Sequence, residues 1–249
     1  MRWLFALFLL SLPATAEEVV LGLSQDEVAI TTSFDGSEIL VFGAIKREAP
    51  APEGELGVIV TIAGPSEPVS VRRKERRFGI WVNTEEVTLG NAPTYYAVAT
   101  NGPLNEVLGV RANLLHRVTV PSLLSSLTVP ETVVDASAYV SALIRVREAA
   151  GVYQVLEEQV VVDQDTLFRT RIALPAALTE GAFPTRILLT RDGTVVSRYD
   201  TTIDVRKVGL ERWLFGMSRE NPFWYGIMSL AIAIAAGWGA SAAFSLIRN

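Results

Sequence analysis

The sequence predicts a mainly β protein with a helical connection: two small β-sandwich-like domains plus one C-terminal transmembrane helix. Three observations predict it. Short runs rich in β-branched residues, separated by Gly and Pro turns, fill Glu18 to about Thr100 and return from Tyr153 to Val205. Residues 103–151 between them carry helical signals. From Phe223 to Ile247 there is no charged side chain. As a helix this last run is roughly 36 Å long, enough to cross a hydrocarbon core of about 30 Å.

The N-terminus reads as a secretory signal peptide over residues 1–16. Arg2 precedes an apolar run from Trp3 to Leu12, too short to span, and Ala14-Thr15-Ala16 is a small-x-small cleavage site. Export followed by one apolar stop-transfer helix predicts a single-pass inner-membrane protein. Its ectodomain then lies in the periplasm, and only Arg248 and Asn249 lie in the cytoplasm. Arg206, Lys207, Arg212 and Arg219 on the outer side outnumber Arg248, a conflict that large translocated domains tolerate.

The first β-rich part covers residues 17–102. Val28 to Thr32 leads into Phe34-Asp35-Gly36-Ser37, and Asp-Gly between apolar runs predicts a hairpin whose return strand is Glu38 to Ile45. Gly57 to Ala63, a Gly64-Pro65 turn, Val69 to Arg72, Phe78 to Val82 and Tyr95 to Ala99 follow as strands and turns. In the helical connection, Pro103 to Leu108 and Ala112 to Arg117 are short helical pieces. Asp135 is a suitable N-cap for a longer helix ending at Gly151, with Tyr139, Val140, Leu143, Ile144 and Val146 mostly on one face. The second β-rich part, residues 152–208, offers Val155 to Val162, Leu167 to Leu174, Thr185 to Thr190 and Val195 to Val205, with a tight turn at Asp192-Gly193. A juxtamembrane segment (209–221) leads to the transmembrane helix (222–247). One continuous mixed domain is the alternative arrangement.

The chain of 249 residues has no cysteine, one histidine and a formal charge of −5. That excludes disulfides, thiol catalysis and thiolate metal sites, and leaves no basic footprint for nucleic acid. A zinc site or a Ser-His-Asp triad would have to use His116, whose place at the end of a helical stretch is explained more simply as a cation favoured by the helix C-terminus. Asp163-Gln164-Asp165 lacks the later Gly and closing Glu of a calcium loop and reads as a turn. Ser122, Ser125 and Ser126 lack a nucleophile elbow. No catalytic, cofactor-binding or metal residue is assigned, and no cofactor is expected.

Two groups of residues suit contacts instead. Arg72, Arg73, Lys74, Arg76 and Arg77 are the densest charge in the chain, at a strand-to-strand turn. They read either as a solvated hairpin tip or as a contact for anionic lipid or an acidic partner surface. Ala233, Gly237 and Ser241, four apart on the apolar helix, offer a small-residue face for another helix, from an integral membrane transporter or from a second copy.

Several segments together resemble an uncharacterised family of alphaproteobacterial transmembrane proteins. They are Phe34-Asp35-Gly36 with Val41-Phe42-Gly43-Ala44, Gly64-Pro65, and Arg72-Arg73-Lys74 leading to Gly79-Ile80-Trp81-Val82-Asn83. Ala142 to Arg145, Leu167-Phe168-Arg169, Leu174-Pro175, Tyr225-Gly226 and Gly237-Trp238 continue the likeness. Phe183-Pro184 departs from it. The resemblance implies an exported β-rich domain on a C-terminal anchor and carries no catalytic residues. Members are often encoded beside sulfite-exporter-type transporters, which implies a transporter accessory role by association. The alternatives are a periplasmic enzyme or solute-binding domain, and a purely structural envelope protein.

Overall fold

The structure, a computed structural model, describes residues 17–23, 27–30, 36–47, 54–130, 133, 135–207, 214 and 217–247. The predicted signal peptide and the 209–213 part of the juxtamembrane segment lie outside the described residues. The chain divides into two compact units, Met1–Val28 with Asp35–Val205, and Ala29–Phe34 with Arg206–Asn249.

In chain order the strands are β1 (Glu17–Leu23), β2 (Glu27–Ile30), β3 (Ser37–Arg47), β4 (Leu56–Ala63), β5 (Ser66–Arg77), β6 (Ile80–Pro93) and β7 (Tyr96–Thr100). Helices α1 (Leu104–Val107), α2 (Val110–His116), α3 (Val120–Leu124) and α4 (Ala136–Ala149) follow. Strands β8 (Tyr153–Leu156), β9 (Val161–Asp163), β10 (Leu167–Leu174), β11 (Gly181–Arg191) and β12 (Thr194–Lys207) complete the β body, and α5 (Pro222–Ile247) is the long apolar helix. The predicted mainly β chain with a helical connection and a membrane-length C-terminal helix is therefore found.

The strands form a four-stranded sheet β1-β3-β10-β9, a six-stranded sheet β2-β12-β11-β4-β7-β8 and a two-stranded ribbon β5-β6. The sequence divided the strands at residues 103–151, but both large sheets mix the two parts. β3 pairs with β10 from Ser37↔Leu174 to Ala44↔Leu167, and β4 pairs with β11 from Leu56↔Arg191 to Ile62↔Thr185. The predicted hairpin around Asp35-Gly36 is corrected. Its two strands, β2 and β3, lie in different sheets, and residues 31–35 between them lie outside the described residues. The Asp-Gly cue is local, whereas the inward side chains Ile39, Val41 and Ile45 are buried only with β3 seated between β1 and β10.

Burial patterns show how the layers stack. In β10 every second residue is buried, so the four-stranded sheet covers a core on one face only. In β4 seven of eight residues are buried and in β7 all five, so the centre of the larger sheet is covered on both faces. The helical connection covers one of them. Its position follows from topology: β7 and β8 are parallel, and parallel neighbours need a long crossover. The Tyr96 hydroxyl donates to the Val118 carbonyl, and burial pushes this phenol up to about 12. Gly57 admits α1 closely, since a Cβ there would come within 2.5 Å of Val107 Cγ1 and 2.1 Å of Thr190 Oγ1.

On the other face, Tyr95 of the larger sheet's side packs on Phe183, with ring centroids 6.1 Å apart, and donates 2.9 Å to the Ala173 carbonyl of β10. The unexpected Phe183-Pro184 fits here. Phe183 is fully buried, and Pro184 precedes Thr185, where the β4 ladder begins, so its missing N–H costs no bond to β4.

A buried ion cluster ties the two sheets. The Glu17 carboxylate of β1 accepts from Arg47 of β3 at 2.8 Å and from Arg191 of β11 at 2.7 Å, and Arg191 also donates to the Gly54 carbonyl. Burial alone would raise the Glu17 pKa. The hydrogen bonds and charges of Arg191 and Arg47 outweigh it and hold the carboxyl below its ordinary value. A lowered folded-state pKa stabilises the fold above the ordinary glutamate range and loses that contribution as pH falls through the lowered value. Replacing Glu17 by Gln strands two guanidinium groups. We expect it to cost about 3 kcal/mol in thermal unfolding at neutral pH, and to flatten the loss of stability between about pH 5 and the acid transition. An unchanged melting temperature would contradict this role.

Candidate interaction surface

The basic cluster lies on the β5-β6 ribbon, which pairs from Ser66↔Pro93 at its base to Arg77↔Ile80 at its tip. The base is anchored. Val87, Leu89 and Ala92 of β6 form a small core with Tyr139 and Leu143 of α4, and Val69, Val71 and Val140 pack against it. Asp135 caps α4 as predicted, its side chain accepting from the Ala138 amide, and Gly151 closes the helix end at φ +69°. Val146, placed by periodicity on the apolar face, is exposed beyond the edge of the ribbon core. The Tyr139 hydroxyl donates to Glu85 of β6, and this hydrogen bond raises the phenol above its ordinary range.

The sequence brings the five cations together with Glu75 in their midst, and the structure adds two carboxylates, Glu85 and Glu86, from the facing strand. Arg72 faces Glu86 at 3.2 Å, Arg73 faces Glu85 at 3.7 Å and Glu75 at 3.9 Å, and Arg77 reaches Glu75 at 3.5 Å. Hydrogen bonds from Ser70 and Arg72 hold Glu86 below the ordinary carboxylate range. These exposed pairs organise the ribbon surface more than they stabilise the fold. Between β5 and α4 lies a groove of about 570 Å³, lined by Arg72, Arg73 and Lys74 from the ribbon and by Asp135, Ala138, Tyr139, Ala142 and Arg145 from α4 and its cap. Arg145 was not singled out as a contact residue by the sequence, because only the docking of α4 on the ribbon brings it into the groove that Lys74 lines.

A second surface lies on the outer face of the four-stranded sheet. Val20, Phe42 and Leu167 are exposed there around a depression of about 440 Å³. The Phe42 ring lies over Gly22, where a Cβ would come within 2.4 Å of it.

The residues considered for chemistry are placed as follows. His116 ends α2, as expected, but the structure corrects its role as the cationic cap. Arg186 donates to the His116 carbonyl at 2.8 Å, and burial together with the charges of Arg198 and Arg186 lowers the imidazole pKa. The helix end is thus served by Arg186 and the histidine is driven toward neutral. Ser122 accepts from Asn113, while Ser125 and Ser126 donate to the carbonyls of Ser122 and Leu123. Asp163-Gln164-Asp165 is the turn between β9 and β10, with Gln164 and Asp165 at positive φ. Among the described residues no three His, Asp or Glu side chains gather as a metal site. On α5, Ala233 and Gly237 are exposed, and a Cβ at Gly237 would meet no atom within 4 Å. The Ser241 side chain lies outside the description.

The family follows from the whole length of this arrangement, β body and apolar helix together. The description "Putative transmembrane protein (Alph_Pro_TM)" matches residues 18–245. The chain belongs to the Alph_Pro_TM family. The match runs from β1 through all but the last two residues of α5, so the ribbon, the sheets and the membrane-length helix are all within the family's extent. No curated protein and no solved structure matches the chain significantly.

Leu143 is the keystone of the ribbon's attachment. Leu143→Ala should lower stability by about 3 kcal/mol in denaturant unfolding. It should also speed amide exchange in β5 and β6 before β4 and β11 are affected. Equal loosening of all strands would show that the ribbon does not depend on this contact.

Proposed function

We propose that this chain is a membrane-anchored accessory module of the inner membrane, exported to the periplasm, that acts by binding an integral membrane protein rather than by catalysis. The observation that carries it is α5: it has no charged side chain over Pro222–Ile247, and its described side chains are almost all exposed. A helix apolar on all sides is at home in hydrocarbon or against other helices. Ala233, Gly237 and Ser241 lie four apart along it, so a partner backbone can approach closely. The ectodomain supports binding as well. The groove that Lys74 shares with Arg145 suits acidic side chains, and the exposed strip of Val20, Phe42 and Leu167 is the kind of surface that interfaces cover. A neighbouring exporter is a fitting partner, the reading suggested by the company the family keeps.

Affinity purification of the tagged full chain in mild detergent tests this. The wild type should carry one integral membrane protein in fixed ratio. Ala233→Leu, Gly237→Leu and Ser241→Leu together should cut its recovery about tenfold, roughly the worth of one well-packed helix contact. A partner-free monomer, or recovery unmoved by the three leucines, would contradict the proposal. Orientation is checked separately. In a chain without native cysteines, Lys74→Cys should react with an impermeant maleimide from the periplasmic side of intact cells, and reaction only after lysis would place it in the cytosol.

A further inference from the structure

Three tight turns among the described residues put two successive central residues at positive φ, the pattern of a type I′ turn: Gln164-Asp165 between β9 and β10, the β11-β12 turn and the ribbon tip. At the β11-β12 turn they are Asp192 (φ +48°) and Gly193 (φ +75°), a pair that tolerates this conformation. At the ribbon tip they are Phe78 (φ +49°) and Gly79 (φ +85°). A bulky aromatic residue at positive φ is strained. Here nothing within the protein compensates, because Phe78 is fully exposed. Ile80 and Trp81 beside it are 64% and 69% exposed. The tip therefore presents three large apolar side chains that the fold itself does not use.

Charge surrounds them. From residue 76 to residue 84 the ribbon carries Arg76 and Arg77 and no carboxylate. Glu75 is committed to Arg73 and Arg77. Arg76 stands directly across the ribbon from Trp81, and Lys74, two residues back on the same face, stands opposite Asn83. Neither Lys74 nor Arg76 has an ion pair within the protein among the described residues. Apolar side chains at the end of a stiff, narrow ribbon, with cations set just behind them, match a surface whose outer layer is anionic and whose interior is hydrocarbon. An acidic protein groove would call for the cations at the apex and would leave Phe78 and Ile80 without use. We propose that the tip of the β5-β6 ribbon enters an anionic phospholipid bilayer: Phe78, Ile80 and Trp81 sit below the headgroups, and Lys74 and Arg76 lie among the phosphates.

This contact shares Lys74 with the groove described above but needs no protein partner, so purified components test it. The full chain with Ile80→Cys as its sole cysteine is labelled with an environment-sensitive fluorophore. It is then reconstituted into vesicles of phosphatidylcholine alone or with added phosphatidylglycerol, each also prepared with nitroxide-bearing acyl chains. A matched label at Glu106→Cys, on exposed α1, is the reference. In phosphatidylglycerol vesicles the tip label should shift to the blue, be quenched by the nitroxide lipids and be protected from aqueous iodide, while the reference label stays wet. Lys74→Gln with Arg76→Gln should lower the ratio of inserted to free tip about thirtyfold, at roughly one kcal/mol per cation. Phe78→Ser with Trp81→Ser should abolish quenching; both side chains are solvent-exposed, so an unchanged circular dichroism spectrum will certify the fold. A tip label as open to iodide as the reference in both lipid mixtures overturns the proposal and leaves the tip to a protein partner. Quenching that survives the paired glutamine changes undiminished overturns the role of the anionic headgroups.

Discussion

The pairing of β3 with β10 and of β4 with β11 is the constraint on which the rest of the β body depends. Each pairing joins residues more than a hundred positions apart in sequence, and each lies inside a sheet rather than at its edge. Without β10, β3 loses one of its two strand partners. Without β11, β4 loses its ladder on one side and the apolar run Val58-Ile59-Val60 meets water. A chain with no cysteine cannot replace such pairing with disulfide crosslinks. The Glu17–Arg47–Arg191 cluster serves the same closure, joining the first strand of one sheet to a central strand of the other.

Much of this was legible in the sequence, and the missing part has a physical reason. Elements set by local rules were readable: the Asp135 cap and Gly151 stop of α4, the Asp192-Gly193 turn, the alternation of Leu167 to Leu174 and the uncharged length of α5. Which strand meets which was not, since alternation shows that a strand has an inner face without naming the neighbour that covers it. That is why Asp35-Gly36 looked like a hairpin although β2 and β3 serve different sheets. Val155 to Val162 looked like one strand and is broken: β8 ends at Leu156 and β9 begins at Val161, each serving a different sheet.

The surfaces divide the same way. A run of five cations within six residues is visible at once, but its electrostatics are not. Glu85 and Glu86 neutralise part of it from across the ribbon, and Arg145 joins it from α4, because register and packing place them there. What remains free is a short stretch, Lys74 and Arg76 around an apolar tip, and this smaller feature distinguishes the ribbon from an ordinary solvated hairpin. Likewise His116 drew notice as the lone histidine, and its surroundings, Arg186 and Arg198, disfavour its charged form.

Hydrogen exchange of the full chain in lipid discs, followed as denaturant is added below the unfolding transition, tests the central claim most directly. If the two large sheets are held closed by strands exchanged between the early and late parts of the chain, amides of β3, β4, β10 and β11 will lose protection together, with one free energy and one denaturant dependence. Exchange of β10 and β11 while β3 and β4 stay protected would contradict the account, because it would mean that the early strands form a stable sheet structure of their own.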